Sequence, residues 1–396
     1  MVGERGFEPP TPWSRTRCST RLSHSPNLGC DSRALSCSGL VGIGKEARAR
    51  LSVPEITDAS PAQPPARGTG IWQSNAFAAY HRPMTPREQL HFGTVCILDG
   101  GMASELEFLG SNISGPLWSA HVLEEAPEKV IAVHRAYLEA GAQILLTASY
   151  QVSRMGYAEF GLDPSRADAA LLHSVGLACA ARAEFPERSI LVAASLGPYG
   201  AALHNGSEYH GKYDCSFNDL VRFHQERIAV LAESQADLLA FETLPSLEEA
   251  RAIGQALEPW PNLAAWFTFV CPDYRAVDLQ VAHGEALHDC AALAAGFPQT
   301  IAVGVNCTQP TWIPSLIAEL RQASAKPIVV YPNSGEDWDA EARCWTGQSD
   351  AAEFGQQAQQ WFASGAQLVG GCCRTRPEHV RQIAAVARES FIVPAS

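Results

Sequence analysis

What the 396-residue chain lacks narrows the field first. No apolar run reaches the ~18 residues that a membrane-spanning helix needs, which excludes an integral membrane protein of the helical kind. Basic charge is scarce: 29 Lys and Arg stand against 42 Asp and Glu, a net charge of −13. That balance argues against nucleic-acid partners, whose phosphates call for clustered cations. Cysteine, at 12 residues, is too sparse for a disulfide scaffold, and the N-terminus lacks the basic, apolar and small-residue succession of a secretory signal. The expected compartment is therefore reducing, the cytoplasm, with free thiols available as metal ligands.

What is present divides unequally. Residues 1–90 carry 11 Lys and Arg against 7 Asp and Glu, whereas 91–396 carry 18 against 35. The first part includes TDASPAQPPARGTG (57–70), a linker-like run without apolar periodicity. Its opening, GERGFEPPTPWSRTRCSTRLSHSP, reads like translation through a transfer-RNA gene, with Met84 as a candidate true start. Residues 1–90 are expected to be an N-terminal extension, disordered or mis-assigned, and 91–396 the folded domain.

From Val95 onward eight aliphatic or β-branched runs recur, each followed by a helix-like segment. They are VCILDGG (95–101), ILLTASY (144–150), ILVAASLGP (190–198), LLAFETL (238–244), AAWFTFVC (264–271), IAVGVNC (301–307), IVVYPNS (328–334) and LVGGCC (368–373). Such alternation builds parallel sheet, and eight strands close a barrel. Polar or reactive residues gather at the ends of these runs: Asp99, Tyr150, Ser195, Glu242, Cys307, Tyr331, Asn333, Ser334, Cys372 and Cys373. In a parallel barrel those ends converge on one rim, so the expected fold is an α/β, (β/α)8 TIM-type barrel with its site there. Local punctuation agrees: Ser246 with Glu249, and Thr375 with Glu378, fit capping boxes, and Gly141 sits where a left-handed helix terminator belongs.

The end of the chain raises the sharpest chemical question. Adjacent Cys372 and Cys373 would normally point to opposite faces of a strand, but Gly370 and Gly371 let the backbone bend and aim both at one ion. With Cys307 from the sixth run, they make three thiolates and an open fourth position, the arrangement of a catalytic zinc rather than a closed structural one. Three thiolates make zinc a weak Lewis acid toward water, so hydrolysis is disfavoured. A soft site of this kind suits a substrate thiolate as fourth ligand, hence thiol alkylation. Cys96, Cys179, Cys215, Cys271, Cys290 and Cys344 read as ordinary thiols.

Several stretches then resemble one family. ILDGGMASELE (97–107), PLWSA (116–120), TASYQ (147–151), LGPYGA (196–201), GSEYHGKY (206–213), FETLPSLEEA (241–250), GVNCTQP (304–310), VYPNSGEDWD (330–339) and GGCCRT (370–375) are similar to the homocysteine S-methyltransferases, over about 93–387. The resemblance implies zinc-dependent methyl transfer to L-homocysteine, forming methionine, from S-methylmethionine or S-adenosylmethionine. Residue by residue it implies Cys307, Cys372 and Cys373 as zinc ligands, Asp99 and Glu242 on the homocysteine amino group, and the Gly100 backbone close to the same amino acid.

Asn306 is expected to orient the loop or a substrate carboxylate, unless it is a cap. Trp118 and Tyr150 are expected to face a sulfonium, unless they are core. Asp99 as a turn or helix cap and Glu242 as a salt-bridge partner remain the bland readings. Betaine is the poorer donor, because Thr243 follows Glu242 where an aromatic ring could cage a quaternary ammonium. Gly115, where many members carry Asp, puts an acidic contact from that loop in doubt. The segment ALHNGSEYHGKYD (202–214) is a candidate lid or donor-side wall. Two rivals stay open: another acceptor such as selenocysteine, and a non-catalytic zinc barrel closed by Cys271 or a nearby His. Partners are expected to be small molecules, with neither nucleic acid nor membrane; oligomeric state is not legible.

Overall fold

The structure is a computed structural model that describes residues 85–91, 95–111, 118–339, 344–346 and 349–390. The readings made for 1–84 lie outside the described residues. All eight expected strands form: β1 (Cys96–Ile97), β2 (Ile144–Leu146), β3 (Leu191–Leu196), β4 (Leu238–Leu244), β5 (Ala265–Phe269), β6 (Thr300–Asn306) and β7 (Ile328–Tyr331). A two-stranded antiparallel ribbon, β8 (Asp337–Asp339) and β9 (Cys344–Thr346), precedes the last barrel strand, β10 (Leu368–Val369). The barrel strands are all parallel, in the order β1-β10-β7-β6-β5-β4-β3-β2, and a parallel bridge from Leu98 to Ile144 brings β1 back to β2. The ring is the expected TIM-type barrel.

The period-2 alternation of strand side chains sorts the apolar residues into two layers. Cys96, Leu98, Ile144, Leu191, Ala193, Leu238, Ala240, Trp266, Val329, Tyr331 and Leu368 form one buried cluster, the barrel interior. Their neighbours Ile97, Leu145, Val192, Leu239, Phe241, Phe267, Val303, Val330 and Val369 belong to a second cluster shared with the surrounding helices. Leu90, in the helix Pro86–His91, packs with the interior cluster, so apolar cover for the barrel begins before β1. Among the described residues no helix is long and apolar enough to cross a membrane.

Helix ends follow the local chemistry in part. Gly141 terminates Pro127–Ala140 at φ 112°, as expected of a left-handed glycine. Ser246 accepts the Glu249 N–H and caps Leu247–Leu257, yet the Glu249 side chain does not return the bond. It is fully buried and serves the loop after β3 through Tyr199 and Tyr213, so this is a half-formed box. Thr375 corrects the second expected box. Its hydroxyl donates to the Cys372 carbonyl at 2.7 Å and accepts the Gly101 N–H at 3.1 Å, ahead of a helix that starts at Pro377.

Gly304 on β6 shows how tightly the ring is drawn. A Cβ there would lie 1.7 Å from the Val329 carbonyl oxygen, a backbone atom that cannot step aside. Gly304→Ala is therefore expected to cost more than about 3 kcal/mol, read as a lowered denaturation midpoint or loss of soluble protein.

Candidate metal and substrate site

Three sulfurs meet at the C-terminal mouth of the barrel. Cys307 Sγ lies 3.0 Å from Cys372 Sγ and 3.5 Å from Cys373 Sγ, and the adjacent pair stand 4.0 Å apart. Thiolates on one tetrahedral zinc, at ~2.3 Å from the metal, sit about 3.8 Å from each other, a spacing the observed distances bracket. The donor set therefore fits a single soft ion. Among the described residues this group consists of Cys307, Cys372 and Cys373; neither Cys271 nor a histidine joins it. Hydrogen bonds from Cys307 and Cys372 hold the Cys373 thiol well below the ordinary thiol range, while the same sulfur contacts and burial push Cys372 up.

The backbone explains how consecutive cysteines share a target. Neither Gly370 nor Gly371 takes a positive φ, so the expected bend is not what requires them. They are required by close approach: a Cβ on Gly370 would stand 2.6 Å from Leu98 Cβ, and one on Gly371 2.3 Å from Thr375 Oγ1. The left-handed backbone falls instead on Cys307 (φ 53°) and Arg374 (φ 65°), costing roughly 1–2 kcal/mol at each. Tertiary bonds hold these turns. Cys307 N donates to the Tyr331 carbonyl, Cys372 N to Pro332 at 2.7 Å, and Ser334 N to Cys373 at 3.0 Å.

Two buried carboxylates stand at the same mouth within electrostatic reach of each other, and Glu242 is also within reach of Cys307 and Cys373. Asp99, 2% exposed, accepts the Leu146 N–H through Oδ2 at 2.8 Å, while Oδ1 has no partner. It is not a helix cap, because Met102–Phe108 starts at Gly101 without a side-chain bond. Burial pushes its carboxyl well above the usual range. Glu242, at the end of β4, accepts the Ser195 hydroxyl, and burial raises it to about 7. Beside Asp99, a Cβ on Gly100 would meet the Tyr137 ring at 2.9 Å, so glycine is needed there. Tyr331 and Thr268 share a 2.7 Å hydrogen bond at the same mouth.

Asn306 is fully buried and spends its amide on one neighbour. Oδ1 accepts the Thr243 N–H at 2.7 Å and Nδ2 donates to Thr243 Oγ1 at 2.8 Å. Thr243 sits at φ 59°, unusual for a β-branched residue. Asn306 thus pins the turn after Glu242 and is no helix cap.

The loop after β3, expected as a lid or donor-side wall over 202–214, supplies residues that the sequence reading did not single out. Its turn Ser207–Tyr209 places the Tyr209 hydroxyl 3.8 Å from Cys307 Sγ and buries Glu208. The hub beneath is Glu249. It accepts the Tyr199 N–H, the Tyr213 hydroxyl at 2.9 Å and His224 Nε2 at 2.9 Å, while Arg227 bonds His224 Nδ1 and the Gly197 carbonyl. Burial lowers His224 to about 4, so a neutral imidazole links Arg227 to Glu249. Tyr150 lies half-buried at this edge, its hydroxyl pushed well up by burial and by the nearby Glu208. Trp118 opens the helix Trp118–Glu125; its side chain, like Gly115, lies outside the described residues. Glu249 reads in sequence as the capping-box partner of Ser246, and Glu208 is covered only by the 202–214 segment; nothing local marks either for burial.

A family model described as homocysteine S-methyltransferase matches residues 96–387. The chain belongs to the homocysteine S-methyltransferase family. Its relatives include the homocysteine S-methyltransferase YbgG of Bacillus subtilis, 45% identical over 300 residues, covering 74% of this chain and 94% of the relative. The selenocysteine Se-methyltransferase of Brassica oleracea var. italica is 40% identical over 309 residues, covering 74% and 88%. Among solved members, the metallated form of the homocysteine methyltransferase MmuM from Escherichia coli is similar with a TM-score of 0.65 and 41% identity, covering 74% of this chain and 96% of that one.

Asn306→Ala removes both bonds that hold Thr243 in place and leaves a buried N–H without an acceptor. The expected loss is about 2–3 kcal/mol of stability, measured by urea unfolding.

Proposed function

We propose that the protein transfers a methyl group from a sulfonium donor, S-methylmethionine or S-adenosylmethionine, to the thiol of L-homocysteine, forming methionine in the cytoplasm. Residues 91–396 are the catalytic domain in this reading, and zinc is the metal. The observation that carries it is the convergence of three cysteine sulfurs within 4.0 Å beside two buried carboxylates.

Cys307, Cys372 and Cys373 would hold zinc, which when bound supplies a soft Lewis acid that lowers the pKa of a thiol without hardening its sulfur. Asp99 and Glu242 accept hydrogen bonds from the homocysteine ammonium, giving the free Asp99 Oδ1 a partner. Gly100 lets the backbone approach the same amino acid, and Asn306 keeps the Glu242–Thr243 turn in register. Tyr150 and Trp118 are proposed on the donor side, where aromatic faces attract a sulfonium. In the transfer the acceptor sulfur forms a bond to the methyl carbon as the donor carbon–sulfur bond breaks. The bonding pair stays on the departing sulfur as a neutral thioether, and the thiol proton goes to solvent. The enzyme's residues contribute alignment, which can supply roughly 7–11 kcal/mol. A selenol such as selenocysteine is the second acceptor, favoured by the similarity to the Brassica selenocysteine Se-methyltransferase.

The direct test combines metal analysis with methionine formation from homocysteine and S-methylmethionine. Wild type is expected to carry about one zinc per chain, and Cys372→Ala to lose most of the metal and at least ~1000-fold in activity. Full turnover by a metal-free variant would overturn the mechanism, and a preference for betaine would overturn the donor.

Glu242 adds a pH signature. Its carboxyl, raised to about 7, is protonated below that pH in the free enzyme and attracts the ammonium less. The kcat/KM for homocysteine is expected to fall as pH drops through 7. Glu242→Gln should flatten that limb and raise the homocysteine KM about tenfold.

A further inference from the structure

Glu208 is a buried carboxylate that the homocysteine side of the reaction leaves unused. It is 8% exposed, its Oε2 has no hydrogen-bond partner, and no ion pair among the described residues involves it. The neighbouring Tyr209 hydroxyl stands 3.8 Å from Cys307 Sγ, so the turn that carries Glu208 lies over the sulfurs. Its charge is felt by Cys373 and Tyr150, and Cys307 in turn raises Glu208. Burial pushes the Glu208 carboxyl up to about 7, against a smaller opposing effect from a hydrogen bond with its own backbone N–H.

The turn is built rather than incidental. Gly200 makes room for it, since a Cβ there would lie 2.5 Å from the Glu208 nitrogen. Glu249 grips both flanks of the loop through Tyr199 and Tyr213. The buried cation of this region, Arg227, is committed to the Gly197 carbonyl, to His224 and to the Phe223 ring at 4.0 Å. A buried carboxylate oxygen without a partner, on the turn whose next residue reaches Cys307, is stabilised as an anion by a cation from outside the chain.

We propose that Glu208 is the donor-side anion, which receives the positively charged sulfonium centre of the methyl donor. The inference rests on the methyl-transfer reading above and assigns the half of the site that Asp99 and Glu242 do not serve. Its consequence is chemical as well as electrostatic. When the methyl leaves, the bonding pair remains on the donor sulfur and the positive charge vanishes, so Glu208 favours the donor over the thioether product. Charge that is already declining in the transition state contributes mostly to binding. Glu208 therefore acts on donor selection and product release more than on the methyl-transfer step.

The test uses the full-length zinc-loaded enzyme, with S-methylmethionine and trimethylsulfonium as donors; the second carries the charge without an amino acid. Glu208→Gln is expected to raise the KM for both donors, and the dissociation constant for S-methylmethionine measured calorimetrically without homocysteine, by about tenfold or more. In that variant kcat should fall far less than donor KM rises, with homocysteine KM and zinc content close to wild type. Glu208→Asp should lie between. In wild type, the neutral carbon isostere of S-methylmethionine should bind about tenfold more weakly than the sulfonium, a measurement that needs no variant to fold. An unchanged donor KM, an equal rise in homocysteine KM, a loss confined to S-methylmethionine, or equal binding of the isostere would overturn the assignment. A wild type that uses no sulfonium would instead overturn the methyl-transfer reading itself.

Discussion

Gly371 donates its backbone N–H to the Asp99 carbonyl at 3.0 Å, and at this seam between the last and first strands the ring closes and the site assembles together. Gly370 and Gly371 lie against Leu98 and Thr375 at distances that no side chain tolerates. The close approach carries Cys372 and Cys373 toward the sulfur of Cys307 while the neighbouring Asp99 side chain turns to the Leu146 N–H. Thr375 and the Tyr137 hydroxyl, which donates to the Gly101 carbonyl at 3.0 Å, lock the seam from outside. Barrel closure and site geometry thus share one set of bonds.

The mouth concentrates groups that are costly to bury. Asp99, Glu242 and Glu208 are carboxylates with few partners, and each is raised above its ordinary pKa by burial. Left-handed backbone at Thr243, Cys307 and Arg374 adds to the cost. The surroundings hold this arrangement with bonds of their own, Asn306 to Thr243 and Glu249 to the loop after β3. In the Glu249, His224 and Arg227 network a neutral imidazole carries hydrogen bonds between a buried anion and a buried cation. Both charges are compensated without direct contact, a fully connected arrangement in which removal of one member would strand the others.

The eight strands were legible because each couples an apolar run to a helix-like segment, and the rim chemistry because Asp99, Glu242, Cys307, Cys372 and Cys373 all fall at run ends. Beyond the half-formed Ser246–Glu249 box, two local signals misled. Thr375 has the spacing of a capping box, but its hydroxyl is drawn into the cysteine turn by the Cys372 carbonyl and Gly101 N–H. Gly370 and Gly371 resemble bending residues, yet they admit Leu98 and Thr375 while the left-handed angle passes to Arg374.

The sequence by itself determined the strand count, the inward and outward parity of the barrel and the identities of the thiols, since these depend on periodicity and residue type along one stretch of chain. Only the tertiary structure decided that Asn306 answers Thr243, that Glu249 leaves its own helix end to hold the loop of Tyr199 and Tyr213, and that Glu208 is buried with an open oxygen near Cys307. The reason is physical: each of these depends on which neighbour excludes water from a polar group, and for Asn306 and Thr243 that neighbour is 63 residues away.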